Sequence, residues 1–145
     1  MICANGIFMR NALLVLVMLL LPAVSWAQSA KQLAAILGSW EGDSKCTVTD
    51  SPCHDEHVLY QIAADKRDPE QLNLDEYKIV EGAPEFIGTL ACRYHAKQTA
   101  LSCTANDHDD WEFHVFGDAL SGKLTIDDGK TVYRRIALHR SSKSN

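Results

Sequence analysis

Apolar and polar residues alternate along most of this chain. The clearest case runs over residues 86–95, where Phe86, Leu90, Cys92 and Tyr94 share one parity and Thr89, Arg93 and His95 the other. That is the period of a strand with one buried face. The same pattern predicts strands over residues 40–48, 57–63 (with Val58, Tyr60 and Ile62 on one side), 77–80, 100–104, 111–116, 123–126 and 132–139. Gly82-Ala83-Pro84, Gly117-Asp118 and Asp127-Asp128-Gly129 supply turns between them. Residues 65–70 read as a charged loop in which Asp68-Pro69-Glu70 starts one helical turn. One short helix is predicted over 29–37. Ser29 caps it, Gln32 completes a capping box, Leu33, Ile36 and Leu37 share a face, and Gly38 stops it. Short strands at regular spacing indicate an all-β barrel or sandwich.

The first 27 residues follow a different rule. Arg10 precedes an unbroken apolar run over 12–21, Pro22 breaks it, and Ser25-Trp26-Ala27 places small residues where a signal peptidase reads. This is the order of a secretory signal. The run is short for a bilayer core of about 30 Å, and no basic stop-transfer cluster follows. Cleavage is expected after Ala27, with Met9 a sufficient start for the signal. No Cys follows the run, so lipid attachment is not expected there. The domain reading is a signal peptide over 1–27, a barrel domain over 28–140 and a frayed tail over 141–145. No integral membrane span is expected after signal removal, and the location is periplasmic or secreted.

Cysteine usage agrees with export. Cys3 lies in the signal, leaving Cys46, Cys53, Cys92 and Cys103. An even number in a small exported chain reads as two disulfides. Four cysteines allow three pairings. A turn at Lys97-Gln98 would set Tyr94 opposite Leu101 and Cys92 opposite Cys103, while Cys46 and Cys53 flank the turn-like Thr49-Asp50-Ser51-Pro52. Local patterning therefore favours 46–53 with 92–103. Each would close a short loop and stabilise by about 2–3 kcal/mol in the chain-entropy account. Zinc-thiolate spacing of the Cys-x2-Cys kind is absent.

Composition narrows the partners. The chain has 145 residues, 46% hydrophobic and 23% charged, which suits one globular domain. Its formal net charge is −5, and since Arg10 is the only charge in the first 27 residues, the remainder carries −6. Nucleic acid and anionic membrane both need clustered positive charge, so neither is an expected partner.

The helix feeding Leu37-Gly38-Ser39-Trp40 resembles the start of calycin barrels, the lipocalin and fatty-acid-binding group, whose first strand carries Gly-x-Trp. That resemblance implies a small antiparallel barrel in which a basic residue of the last strand lies across the Trp40 ring. Arg134 or Arg135 is expected to close the barrel in this way, with a cation–π attraction of about 0.5–2 kcal/mol. The chain is short for a ligand-carrying lipocalin. It also resembles small periplasmic lipocalin-like inhibitors of bacterial metalloproteases, and exported proteobacterial proteins with a Cys-x-Asp-Glu-His segment, here Cys53 to His57. These likenesses imply fold and compartment, and no chemistry.

The polar clusters point to no reaction. His54, Asp55, Glu56 and His57 are all metal-capable, but strand neighbours face opposite sides, leaving two ligands per face. Asn106-Asp107-His108-Asp109-Asp110 lacks the alternation and terminal Glu of a calcium loop. There is no Gly-x-Ser-x-Gly elbow and no phosphate-binding glycine loop. No enzyme activity, cofactor or metal is expected. The leading expectation is an exported monomer that holds a small apolar or amphipathic ligand in its barrel, lined by Tyr60, Phe86, Tyr94, Trp111 and Phe113. The alternative is a packed barrel acting as a periplasmic inhibitor or envelope interaction factor, binding through residues 28–37.

Overall fold

Eight antiparallel strands follow one another in space as in sequence, and the last returns to pair with the first. The computed structural model describes residues 31–68, 70–106, 109–127 and 129–142. The predicted signal segment, Ser29 and the end of the tail lie outside them. Helix α1 (31–36) leads into β1 (Gly38–Cys46), β2 (Glu56–Ala64), β3 (Gln71–Val80), β4 (Ala83–His95), β5 (Ala100–Asn106), β6 (Asp109–Phe116), β7 (Ala119–Ile126) and β8 (Thr131–Arg140). The expected all-β antiparallel barrel with one short helix is therefore the architecture of this chain.

Alternation decides which face is inside. Pairings such as Trp40↔Tyr60, Leu74↔Leu90, Leu101↔Phe113 and Leu120↔Leu138 put one parity of every strand into a common interior. These side chains are buried, and they form one contiguous cluster with Ile36 of the helix. Burying each large apolar side chain stabilises by about 1.5–3 kcal/mol. Gly122 is part of that packing. It pairs with Phe113, and a Cβ at Gly122 would lie 2.3 Å from the Phe113 ring, so the missing side chain is the space the ring fills.

Both favoured disulfides are present, Cys46–Cys53 and Cys92–Cys103. The second spans the Cys92↔Cys103 pair set by the β4–β5 hairpin, in which Tyr94 also faces Leu101. Strand limits differ most in β3, which begins at Gln71 rather than at 77, and β7, which begins at Ala119 rather than at 123. In β3 the inward residues are Leu72, Leu74 and then Glu76, and that carboxylate on the buried side obscures the period. At the β3–β4 turn Glu81 and Gly82 both have positive φ, 51° and 84°. That is the geometry of a tight two-residue hairpin.

Candidate functional site

One end of the barrel is sealed by groups from three elements. The Trp40 indole is fully buried and donates from Nε1 to the Ile36 carbonyl at 2.9 Å. The guanidinium across its ring is Arg140, 4.2 Å from the ring centroid. Arg140 also donates to the carbonyls of Leu37 (2.9 Å) and Ala35. Carbonyls left open at the end of the helix are thus satisfied by an indole and a cation. Gly38 makes the approach feasible: its φ is 115°, and a Cβ there would sit 3.1 Å from Arg140 Nη1. The expectation that Arg134 or Arg135 covers Trp40 is corrected. β1 and β8 are antiparallel, so Trp40 at the start of β1 pairs with Arg140 at the end of β8, whereas Arg134 pairs with Cys46. Six residues of strand place Arg134 about 20 Å away. Arg135 is exposed on the outer wall.

The five predicted lining residues do not share one environment. Phe113 is 0% exposed and Tyr60 2%, meeting edge to face with centroids 6.0 Å apart. Trp111 stacks on Phe113 and is half-buried, as is Tyr94 near the sealed end. Phe86 is outside the barrel and 60% exposed. The reason is a β-bulge. Gly88 pairs with Glu76 and Phe86 pairs with Tyr77, leaving Ile87 as an extra residue. One inserted residue inverts the alternation, so the parity shared with Leu90 no longer reports the face. The middle of the interior is filled. Leu74, Leu101, Leu120, Cys92, Cys103 and Val58 present essentially no surface to a water-sized sphere.

Polar groups gather toward the other end. Arg134 enters the barrel and donates to Ser44 Oγ at 2.9 Å and to the His54 carbonyl at 2.8 Å, and pairs with Glu56 at 3.1 Å. Glu56 also meets Lys78 at 3.5 Å. Deeper lies Glu76, only 8% exposed, beside the Tyr60 hydroxyl. Burial pushes the Glu76 carboxyl up to about 7, opposed by the Tyr60 hydroxyl and the Arg134 charge. The Tyr60 phenol is raised as well, first by burial and then by the Glu76 charge. Sequence reading found Arg134 but assigned it to the wrong end, and it missed Glu76. The signal available was a lone acid at the parity of Leu72 and Leu74.

The His54–His57 segment diverges. Asp55 accepts from the Cys46 amide at 2.9 Å, Glu56 turns to Arg134, and His57 on the outer wall meets Asp43 (3.1 Å) and Glu41 (3.2 Å). The hydrogen bond that the His57 ring donates to Asp43 leads the causes that hold its imidazole above its ordinary value. Among the described residues no three His, Cys, Asp or Glu side chains converge on one point. A concavity of about 520 Å³ lies on the outer wall over β5 and β6. It contains a His95 Nε2···Ser102 Oγ contact of 2.7 Å. Glu112 is engaged by His114 and Lys123 rather than by His95, so among the described residues the third member of a nucleophile–base–acid relay is not in place there.

The remaining feature is the β3–β4 arm. Tyr77 and Phe86 meet edge to face at 5.5 Å, Leu59 is buried although it pairs with Tyr77 on the outer wall, and Ile87 is 56% exposed. An apolar patch thus sits on the outside of the barrel beside its longest hairpin. No family model matches the chain, and no curated protein matches it.

Proposed function

We propose that this chain is an exported, non-enzymatic binding protein of lipocalin-like architecture with a packed barrel, which engages another protein of the cell envelope through the outer face of its β3–β4 arm. The carrying observation is the contrast between a filled interior and a pair of large apolar side chains, Phe86 and Ile87, left in solvent on one hairpin. Exposed apolar clusters on small domains mark interaction sites. Two disulfides suit an oxidising compartment. Binding by the N-terminal helix is less well supported, because Ile36 is buried and Arg140 and Trp40 hold its last carbonyls.

The test is site-specific photocrosslinking in cells, with the photoreactive residue at position 86 and a control at exposed position 135. Discrete protein adducts at 86 and none at 135 are expected. Equal labelling at both positions, or native mass spectrometry showing one apolar molecule per chain, would return the protein to the ligand-holding alternative.

A further inference from the structure

β4 is longer than its neighbour. It pairs with β3 from Ala83 to Arg93, but β5 pairs only with Ala91 to His95, the last pair being Ala91↔Thr104. Among the described residues no strand pairs with Ala83–Leu90 on that side. Among the described residues the barrel therefore keeps an open edge over Ala83–Leu90. Such an edge carries a row of unpaired N–H and C=O groups and is a template for another strand. Natural edges are blunted by lysines, prolines and bulges. This one has Pro84 and the Ile87 bulge but no lysine, and it sets Phe86 and Ile87 beside the open groups.

We infer that this edge is a strand-addition site for an extended segment of a partner protein that alternates apolar with basic residues. This rests on the protein-binding reading above and names its mode. Charge selects the occupant. The only charges from residue 81 to 90 are Glu81 and Glu85; Lys78 stands opposite Glu85 on β3, but its ammonium is paired with Glu56 at 3.5 Å. Asp110 pairs with Thr104, which pairs with Ala91, so another carboxylate stands two strands from where the edge begins. A second copy fits less well. It would bring the same carboxylates together between two chains of net charge −5. A strand from a basic segment satisfies both the backbone row and the carboxylates.

The experiment uses the disulfide-bonded protein and three fluorescent octapeptides. One alternates Val and Lys, one replaces Lys by Glu, and one is the Val–Lys peptide with alternate amides N-methylated. The Val–Lys peptide is expected to bind, and hydrogen exchange at Ala83–Leu90 to slow on binding. The Glu and N-methylated peptides should bind at least about tenfold more weakly, as expected for losing one or two hydrogen bonds or charge pairs. F86S/I87S should weaken binding similarly, and since it also removes the Phe86–Tyr77 contact, thermal unfolding should show only a small loss with the cooperative transition kept. Equal binding of the three peptides, protection elsewhere on the barrel, or no binding at about 1 mM would overturn the inference. A concentration-dependent dimer abolished by I87K would overturn it too, giving the edge to a second copy. Failure here with adducts still formed at position 86 would leave protein binding standing and remove only strand addition.

Discussion

Replacing Glu76 by Gln should make this protein more stable at neutral pH and leave it nearly unchanged in acid. The side chain is 8% exposed beside the Tyr60 hydroxyl, and burial raises its carboxyl from an ordinary 4.5 to about 7. A carboxyl with a folded pKa above its unfolded one favours the fold in its protonated form. Its contribution is complete below pH 4.5 and is lost as the pH climbs through 7. A shift of this size corresponds to about 3 kcal/mol. Gln keeps the shape and a partner for the Tyr60 hydroxyl but cannot ionise. The stability of Glu76→Gln relative to wild type should therefore grow by about 3 kcal/mol between pH 4 and pH 8. For a domain of this size that is about 10 °C in Tm. Urea unfolding at closely spaced pH values measures it, and using the difference between the two proteins removes every other titrating group. A difference that stays within about 0.5 kcal/mol across that range, or that grows toward acid, would refute the claim that burial raises the Glu76 carboxyl.

Arg140→Ala should cost about 2–3 kcal/mol, combining the cation–π contact with loss of the helix-end carbonyl partners, while Arg135→Ala should stay within about 0.5 kcal/mol in the same denaturant titration. Gly122→Ala should destabilise by about 1–3 kcal/mol, because a methyl group there collides with the Phe113 ring, and near-ultraviolet dichroism should report the displaced aromatic. Under mild reductant, alkylation should appear first at Cys46 and Cys53, which are only half-buried, whereas Cys92 and Cys103 should be labelled only as the barrel unfolds. In proton NMR His57 should titrate above 6.5, and the Asp43→Asn, Glu41→Gln double variant should bring it back down.

The barrel was legible because its causes are local. A period of two, turn residues at the hairpins and a capped, glycine-terminated helix each act over a few residues, and all of them specify the same antiparallel meander. The Cys92–Cys103 bridge was readable for the same reason, since a short hairpin fixes its own register. Trp40 could be assigned to closure, but its partner could not. Choosing among Arg134, Arg135 and Arg140 requires the register of the first strand against the last, about a hundred residues apart in sequence.

Sequence alone therefore determined the all-β class and the place of most strands, and it favoured the disulfide pairing that is present. The tertiary structure decided what the barrel holds and what it shows. A single extra residue at Ile87, invisible to periodicity, turned Phe86 from the expected lining to the outer wall. The unequal lengths of β4 and β5 left one edge open, and the fit of side chains from all eight strands filled the centre. Alternation is a property of neighbouring residues. Registers, bulges and cavities depend on how distant strands meet, and no local pattern encodes them.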